Sequence, residues 1–316
     1  MIKCLNIAKM SNSEGPFFRP HFGMDSHLAK EHCKAKLEQI QDIGRHRHEQ
    51  VRIEFPRKGG GFISAIYTVS VFHPDEDSVI LGSKISELFQ DCDLTIGICK
   101  GKVKAQIMIE GLDEHEEQAK DMGELIELLT PPNSQNRKLI VIAPHGGHIE
   151  PRTDEQAEYV RMNLPSEHVT TWKCKGFRNP NSTAKVNAHT RWHITATEIS
   201  ERSFPKLRTI IEPKFEYAIA FHGWDDNSIC VGGNADSIDA GLIDEIRDSI
   251  KHTLGPDIKV VATACGGGFS GDDPCNIVNR LGEKGIQIEQ GLDIRNDHWK
   301  EIAQAVVDVI GPRINV

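Results

Sequence analysis

The chain has 316 residues, of which 38% are hydrophobic and 26% are charged, a composition typical of a folded globular protein. No apolar run approaches the roughly 20 residues of a membrane span, and the first residues resemble no secretory signal, so we expect a cytoplasmic protein or one released by lysis. The net charge of −9 disfavours nucleic-acid binding, which usually needs a basic protein.

The eight cysteines are scattered along the chain, and none forms a Cys-x-x-Cys pair. In a chain of this length without an export signal, we expect reduced, buried thiols and no disulfides. Cys265 precedes three glycines, which invites a nucleophile interpretation, but the sequence does not place the base that cysteine catalysis needs.

The first 130 residues mix predicted helices and strands. Apolar residues at helical spacing predict a helix within residues 25–43. Further along, the pattern predicts strands at 51–55, 62–72, 94–99 and 103–109 and helices near 83–90 and 114–129. A glycine run at 59–61 lacks the spacing of a phosphate-binding loop and is interpreted as a hairpin connection. We assign residues 1–130 to an N-terminal α+β domain of unknown role.

A Pro- and Asn-rich segment at 131–136 is the best candidate for a linker. Beyond it the pattern predicts strands at 138–143, 168–174, 192–195, 216–221, 229–231, 259–263 and 285–289 and helices at 153–163, 237–254 and 297–310. This alternation predicts an α/β fold in which residues 137–316 form a three-layer αβα domain with a mixed, mainly parallel sheet.

The most informative segment is Ala-Pro-His-Gly-Gly-His-Ile-Glu-Pro at positions 143–151. It follows a buried-strand pattern and precedes a helix, so His145, His148 and Glu150 lie on a glycine-rich turn at the C-terminal end of a strand. Ligands of open α/β sheets usually bind at that edge. Histidine nitrogen and glutamate oxygen are also the ligand types of catalytic zinc.

Two later strands end in similar groups. One is followed by His222 and a glycine, and another carries Glu289 near its end. A zinc hydrolase needs three protein ligands, an open position for water, and a carboxylate that accepts and returns a proton. The candidate ligands are His145, Glu150 and His222, and Glu289 is the candidate base.

The order of these motifs resembles that of the poly-γ-glutamate hydrolase family of phages and bacteria. The matching segments are His-Gly-Gly-x-Ile-Glu-Pro-x-Thr at 145–153, His-Ile-Thr-Ala-Thr at 193–197, His-Gly at 222–223, Val-Gly-Gly at 231–233, Asn-Ile-Val-Asn-Arg at 276–280 and Gly-Ile-Gln-Ile-Glu at 285–289. The resemblance covers roughly residues 138–310. It implies a zinc hydrolase related in fold to the carboxypeptidases and to aspartoacylase-like deacylases. In that family the metal ligands match His145, Glu150 and His222, and Glu289 stands at the position of the general base.

Departures from the family pattern leave the second ligand open. Carboxypeptidases pair their first ligands as His-x-x-Glu, whereas His145 and Glu150 are five positions apart. His148 is therefore an alternative ligand, and it is equally a candidate for contacting the substrate. Gln290 follows Glu289 where the resemblance leads us to expect a small residue.

A basic island lies between residues 171 and 191, with five basic residues and no acidic one. An acidic protein needs such a region to attract an anionic substrate. The predicted contacts to substrate carboxylates are made by Arg152, Lys173, Lys175, Arg178, Arg191 and His148. His193 and Arg295 are candidates for assisting catalysis at the developing oxyanion, and each also has an ordinary structural interpretation.

The expected activity is zinc-dependent cleavage of γ-glutamyl amide bonds in an anionic polymer. One alternative is a zinc deacylase or amidohydrolase that acts on a small N-acyl or γ-glutamyl compound. Another is a binding or regulatory protein that keeps a metal ion for structure, which would show four protein ligands and no open position. Nucleic acids and membranes are not expected partners, and the sequence does not identify the oligomeric state.

Overall fold

The computed structural model describes residues 16–56, 61–72, 78–84, 86, 99–131, 137–178, 187–263, 265–266 and 268–315. Backbone contacts divide the chain into two compact units. The first consists of Met1–Ile126 and Arg178–Ile194, and the second of Glu127–Phe177 and Thr195–Val316. The segment Arg178–Ile194 is thus grouped with the first unit, although it lies within the predicted domain 137–316. The two predicted domain ranges stay a prediction.

The first unit is built on a mixed sheet. Its described strands are β1 (Phe17–Phe18), β2 (His21–Met24), β3 (His32–Ala35), β4 (Gln50–Pro56), β5 (Phe62–Phe72), β6 (Ser78–Leu81), β7 (Cys99–Lys100) and β8 (Lys102–Lys104). They lie in the order β1-β8-β4-β5-β3-β6-β2-β7. The described helices of this unit are α1 (Leu37–Asp42), α2 (Glu116–Met122) and α4 (Ala188–Trp192), with a 3₁₀ turn at Leu112–Glu114. Val51, Ile53 and Phe55 of β4 belong to its apolar core.

The second unit is built on another mixed sheet. Its strands are β9 (Leu125–Thr130), β10 (Leu139–Gly147), β11 (Val169–Gly176), β12 (Phe215–Trp224), β13 (Ile229–Gly233), β14 (Val260–Ala262) and β15 (Gly282–Gly291). They lie in the order β14-β13-β15-β12-β10-β11-β9. Neighbours β11, β10, β12 and β15 run parallel, whereas β13 is antiparallel to β15. The predicted mixed, mainly parallel sheet is therefore confirmed.

The described helices of the second unit are α3 (Thr153–Met162), α5 (Pro205–Arg208), α6 (Leu242–Leu254), α7 (Ile277–Leu281) and α8 (Leu292–Ile314), with a 3₁₀ turn at Ala235–Ser237. The longest, α8, is kinked at His298, where the backbone leaves the helical region. In the part of the chain that the structure describes, no helix is both long and apolar enough to cross a membrane.

The two faces of the second sheet are covered by different helices. On one face, apolar residues such as Ile219 pack in the main hydrophobic cluster with α3, α6 and α8. On the opposite face, Trp172 of β11 contacts Phe204, which precedes α5. Gln287 of β15 bonds Asn276, which precedes α7, on that same face. The unit therefore has the predicted three-layer αβα arrangement.

Most predicted strands of the second unit are confirmed, whereas other elements differ. The helix predicted within 25–43 is limited to α1, because residues 32–35 form β3. The helix predicted at 114–129 ends at Met122, and its last residues begin β9, because a short apolar run fits a buried strand as well as a helix. No strand forms at 192–195; Trp192 ends α4, whose N-terminus is capped by the side chain of Asn187.

Some predicted elements fall outside the described residues. These are most of the helix at 83–90, most of the strand at 94–99, much of the glycine connection at 59–61 and nearly all of the linker at 131–136.

The prediction that all cysteines are reduced is wrong. Cys230 of β13 and Cys265 form a disulfide with their Cα atoms 5.5 Å apart, and Cys99 is also disulfide-bonded. Cys33 and Cys174 are free and buried, as expected. Sequence spacing did not reveal the first pair because its partners are 35 positions apart and meet only through the fold.

Candidate metal centre

Three adjacent strands of the second unit bring polar residues to one edge of the sheet. The strands β15, β12 and β10 are neighbours and run parallel, so their C-terminal ends meet. These ends carry Glu289, His222 and His145, and all three side chains are buried. This is the edge at which open α/β sheets bind ligands.

The orientation of His145 depends on an irregularity in β10. Between Ala143 and Gly146 the register against β11 shifts by one residue. Side chains alternate along a strand, and Ala143 packs in the cluster with α3. The extra residue reverses this alternation and turns His145 to the opposite face. His222 and Glu289 lie on that same face, since their strand neighbours belong to the cluster with α3.

His145, Glu150 and His222 form a buried cluster that can hold a metal ion. Each offers one ligand atom, and these atoms lie within 4.8 Å of one another. The two Nδ1 atoms of the histidines are 3.2 Å apart, and Glu150 Oε1 is 2.9 Å from His145 Nδ1. Two nitrogens bound to one zinc ion at about 2.0–2.1 Å in a tetrahedral arrangement stand about 3.3 Å apart. The residues present therefore fit a zinc ion in both chemistry and spacing.

Glu150 is fixed by its own turn and by β12. Its backbone N–H donates to the carbonyl of His145 at 2.8 Å, and the N–H of Gly223 donates to Glu150 Oε2 at 2.9 Å. Burial alone would raise the pKa of Glu150, but His145 and His222 outweigh this effect and hold that pKa well below its usual range. Glu150 is therefore a carboxylate at neutral pH, the form that binds a cation.

Glu289 lies beside this cluster as a second buried carboxyl group. It pairs directly with His222 in the ladder between β12 and β15. Burial and then the charge of Glu150 raise the pKa of Glu289 well above its usual range, against the opposing effects of Arg295 and Gln287. Its Oε1 accepts a hydrogen bond from Gln287, whereas its Oε2 is buried and has no hydrogen-bond partner among the described residues. A buried polar atom left in this way marks a place for a ligand or a water molecule.

Arg295 of α8 connects the strand ends. Its guanidinium lies against the backbone of Gly223, where a Cβ atom would overlap it, so any larger residue at this position would displace the guanidinium. Its Nε donates to the carbonyl of Pro151 at 2.5 Å, and its Nη1 donates to the carbonyl of Gln290 at 2.7 Å. Burial lowers the pKa of Arg295, whereas the two carboxylates of the site act to raise it. Arg295 thus adds a positive charge near the carboxylates and fixes the turns that carry them.

The sequence did not reveal a pair of buried glutamines behind the site. Gln156 of α3 and Gln290 of β15 exchange two side-chain hydrogen bonds of 2.7 and 3.0 Å. Gln290 also donates to the backbone carbonyl of His222 at 3.3 Å. The available signal in the sequence was a polar residue within a buried strand. Such a residue must have a hydrogen-bond partner, but the sequence does not show which residue that partner is.

The lysines predicted to bind substrate lie on the other face of the sheet. Lys173 pairs with Glu158 at 2.8 Å and Lys175 pairs with Asp154 at 2.6 Å, and both acidic partners belong to α3. The alternation of β11 directs these lysines to the α3 layer, away from the face that carries the two histidines. Their ion pairs give Lys173 and Lys175 a structural role, and the predicted substrate contacts stay predictions.

His148 and Arg152 lie on the turn between β10 and α3. His148 is exposed, and its ring meets that of Phe177 edge-on with centroids 5.4 Å apart. Arg152 is 44% exposed at its side chain and pairs with Glu155 at 3.2 Å. The structure therefore brings Glu150, and not His148, to the histidine pair. Substrate contacts by His148 and Arg152 stay predictions.

Arg191 and Arg178 are grouped with the first unit. Arg191 is buried, stacks on Trp192 at 4.3 Å from its ring centroid, and donates to the backbone carbonyls of Ser64 and Gly123. These contacts give Arg191 a structural role, and its predicted substrate contact stays a prediction. Arg178 is exposed, and its predicted role stays a prediction.

His193 also belongs to the first unit. Its Nδ1 lies 2.5 Å from Glu31 Oε1, and its ring stacks on that of His189 with centroids 4.3 Å apart. The predicted role of His193 in catalysis is not tested by these contacts within its own unit and stays a prediction.

Comparison with known proteins supports the resemblance seen in the sequence. The model of the poly-gamma-glutamate hydrolase family matches residues 109–307. A search of curated proteins found no match.

Several solved structures are similar to this chain. A bacteriophage poly-gamma-glutamate hydrolase is 24% identical, with a TM-score of 0.47, and the match covers 64% of this chain and 96% of that one. The zinc-free apo form of YNDL is 20% identical, with a TM-score of 0.45, covering 62% of this chain and 94% of that one. A metallo-carboxypeptidase from Burkholderia cenocepacia is 11% identical, with a TM-score of 0.37, covering 84% of this chain and 80% of that one. Because the family model spans well over half of its residues, the chain belongs to the poly-gamma-glutamate hydrolase family.

Proposed function

We propose that this protein is a zinc-dependent hydrolase that cleaves γ-glutamyl amide bonds in a polymer of the poly-γ-glutamate type. The observation that carries the proposal is the meeting of His145, Glu150 and His222 beside the buried carboxyl group of Glu289. Within the described residues this cluster offers three ligands, the number typical of catalytic zinc, whereas structural zinc sites use four. Membership of the family supports the hydrolytic activity and the type of substrate.

His145 and His222 would hold the metal ion through imidazole nitrogens and Glu150 through a carboxylate oxygen. A zinc ion in this site supplies Lewis acidity, which makes water a nucleophile near neutral pH and withdraws electrons from the scissile carbonyl. The N–H of Gly223 holds Glu150 Oε2 in place, so the carboxylate keeps one orientation in the cluster.

Glu289 is the proposed general base and acid. Its carboxylate accepts the proton of the attacking water and returns that proton to the departing amide nitrogen. The pairing of its strand with β12 supports this role, because Glu289 lies opposite His222 in the ladder. Burial favours the protonated form of Glu289, which suits a group that holds a proton between two steps.

Arg295 has a supporting role in this proposal. Two of its N–H groups bond backbone carbonyls, so these groups position the strand ends and do not face a substrate. Its charge offsets the repulsion between the buried carboxylates of Glu150 and Glu289.

A γ-glutamyl polymer carries one carboxylate per residue and needs cationic or hydrogen-bonding contacts outside the site. Arg152 and His148 are the candidates, because both are exposed on the turn that also carries Glu150. We expect each to contribute to substrate affinity through charge-assisted hydrogen bonds.

The test compares the wild-type protein with His145→Ala and Glu289→Gln after loading with zinc. The wild type should bind zinc and release short γ-glutamyl fragments from poly-γ-glutamate. His145→Ala should lose both zinc and activity, whereas Glu289→Gln should lose activity and keep zinc. Hydrolysis of small N-acyl compounds without cleavage of the polymer would indicate a deacylase. Zinc binding without any hydrolysis would indicate a binding protein.

A further inference from the structure

A chain of three hydrogen bonds leads from the start of α7 to Glu289. The backbone N–H of Val278 donates to Asn276 Oδ1 at 3.1 Å. Asn276 Nδ2 donates to Gln287 Oε1 at 2.7 Å, and Gln287 Nε2 donates to Glu289 Oε1 at 2.8 Å. Asn276, Gln287 and Glu289 are each 4% exposed, so these bonds form away from bulk water.

The backbone determines the direction of every bond in this chain. A backbone N–H can only donate, so Asn276 turns its oxygen to Val278 and its NH₂ group to Gln287. Gln287 then accepts with its oxygen and turns its own NH₂ group to Glu289. The second N–H of that group faces the carbonyl of Phe269 at 3.4 Å, which also requires a donor there. Consequently Glu289 Oε1 is held as an acceptor.

We infer that Asn276 and Gln287 are positioning residues that fix the carboxylate of Glu289 and confine its transferable proton to Oε2. A proton on Oε1 would face the N–H of Gln287, donor against donor. Oε2 is buried and lacks a hydrogen-bond partner among the residues described, so it is the atom left for the reaction.

The inference rests on the proposed function of Glu289 and specifies the atom that carries it out. The proton passes from water to Oε2 as the bond between the water oxygen and the carbonyl carbon forms. It passes from Oε2 to the amide nitrogen as the carbon–nitrogen bond breaks. Neither Asn276 nor Gln287 gives up a proton in either step.

The main test is Asn276→Asp, which changes the polarity of the chain with little change in shape. Aspartate caps a helix as well as asparagine does, so α7 should keep its start. Its carboxylate offers only acceptors to Gln287, whose NH₂ group should then turn towards it and leave Glu289 unsupported. We expect kcat on poly-γ-glutamate to fall about 10- to 100-fold, because small displacements of a reacting group have effects of that size. KM and zinc content should not change.

Two further variants separate positioning from general damage. Gln287→Met removes the donor to Glu289 while keeping a similar volume, and it should lower kcat as Asn276→Asp does. Asn187→Asp makes the same chemical change at the exposed N-cap of α4, which bonds the N–H of Thr190 at 2.7 Å, and it should leave kcat unchanged. Wild-type kcat in Asn276→Asp, or a loss of kcat that parallels a loss of zinc, would overturn the inference.

Crystal structures of the wild type and Asn276→Asp provide a readout that does not depend on activity. The contact between Gln287 and Glu289 should be present in the first and broken in the second. Its persistence in the variant would overturn the inference even if Glu289→Gln is inactive. If the wild type does not hydrolyse γ-glutamyl bonds, the proposed function fails, and the two structures still decide whether Asn276 sets the orientation of Gln287.

Discussion

The two units bury charged side chains in different ways. In the first unit, the guanidinium of Arg52 is buried, and each of its five N–H groups has an acceptor. The acceptors are the carboxylates of Glu54 and Glu124, the hydroxyl of Ser64 and the carbonyl of Ile107. Burial alone would lower the pKa of Arg52, but the two carboxylates outweigh this effect and raise it.

In the second unit, one buried carboxyl group is only partly paired. Glu289 keeps one oxygen without a hydrogen-bond partner among the described residues, and the charge of Glu150 acts to raise its pKa. A fully paired buried charge holds its partners in one arrangement, whereas an incompletely paired buried group points to a ligand, a water molecule or a reaction. The difference between the two clusters is therefore one between a structural and a functional use of buried polar groups.

The largest effect is expected for Glu289→Gln. It should lower kcat about 10²- to 10⁴-fold, the usual contribution of a general acid–base group. Because burial and the charge of Glu150 favour the uncharged, protonated form of Glu289, the neutral glutamine should not lower the melting temperature. Steady-state hydrolysis and thermal unfolding measure both quantities. The control is Glu283→Gln, an exposed position on the same strand, and equal kcat in the two variants would contradict the proposed role.

Arg52→Met tests the structural cluster. It leaves the carboxylate of Glu124 buried without the cation that now bonds it at 2.6 Å. The free energy of unfolding should fall by about 3–5 kcal/mol, the usual result of removing one partner of a buried pair. Urea unfolding at neutral pH measures it. Arg247→Met, at a more exposed arginine paired on the surface, should change stability by about 0.5 kcal/mol or less. Similar losses of unfolding free energy in both variants would show that burial does not determine how much each arginine contributes to stability.

Lys84 gives a pH-dependent version of the same test. Its ammonium group is buried, donates to the carbonyl of Ile66 and lies 4.5 Å from the ring centroid of Tyr67. Burial lowers the pKa of Lys84 from 10.5 to about 8, against the opposing charge of Glu31. Between these two values the folded chain has lost a proton that the unfolded chain keeps, so stability should rise as pH increases through this window.

The measurement compares urea unfolding of the wild type and Lys84→Met from pH 7 to 11. Across the window the free energy of unfolding of the wild type should rise by on the order of 3 kcal/mol relative to that of the variant, since one pKa unit corresponds to about 1.4 kcal/mol. Towards pH 7 the difference in free energy of unfolding should level off, because Lys84 is then protonated in both states. If the free energies of unfolding of the two proteins change in parallel with pH throughout, Lys84 titrates as an ordinary exposed lysine.

The smallest effect is expected for Lys173→Met. The ion pair with Glu158 is partly exposed, and Arg161 also bonds that carboxylate, so stability should fall by about 0.5–1 kcal/mol. KM for poly-γ-glutamate should not change, because Lys173 faces α3. A several-fold rise in KM would support the substrate-binding role that the sequence predicts for Lys173.

Much of the second sheet could be predicted because its strands are continuous apolar runs. Polar residues at the ends of such runs, above all His145, His222 and Glu289, could be assigned to one edge because parallel strands share it. Whether Glu150 or His148 joins them could not be decided from spacing. That choice depends on the turn closed by the bond between the Glu150 N–H and the His145 carbonyl.

Long-range partners were the main feature that the sequence did not reveal. Lys173 looks available in the sequence, yet its partner Glu158 lies 15 positions earlier on a helix. Arg191 was predicted to bind substrate, but its acceptor at Ser64 is 127 positions away. Sequence patterns describe which face of an element is polar, and they do not identify the group that meets it across the fold.

The irregularity in β10 also shows that the face of a residue depends on the pairing of two strands. If β10 kept all its residues in regular register, His145 would lie opposite Lys175 and its imidazole would point to the α3 layer. Deleting Pro144 would instead remove the extra residue and leave His145 directly after Ala143, where alternation still directs it to the face of His222. The orientation of this histidine is thus set by the match between β10 and β11, and alternation along β10 alone would assign it to the wrong layer.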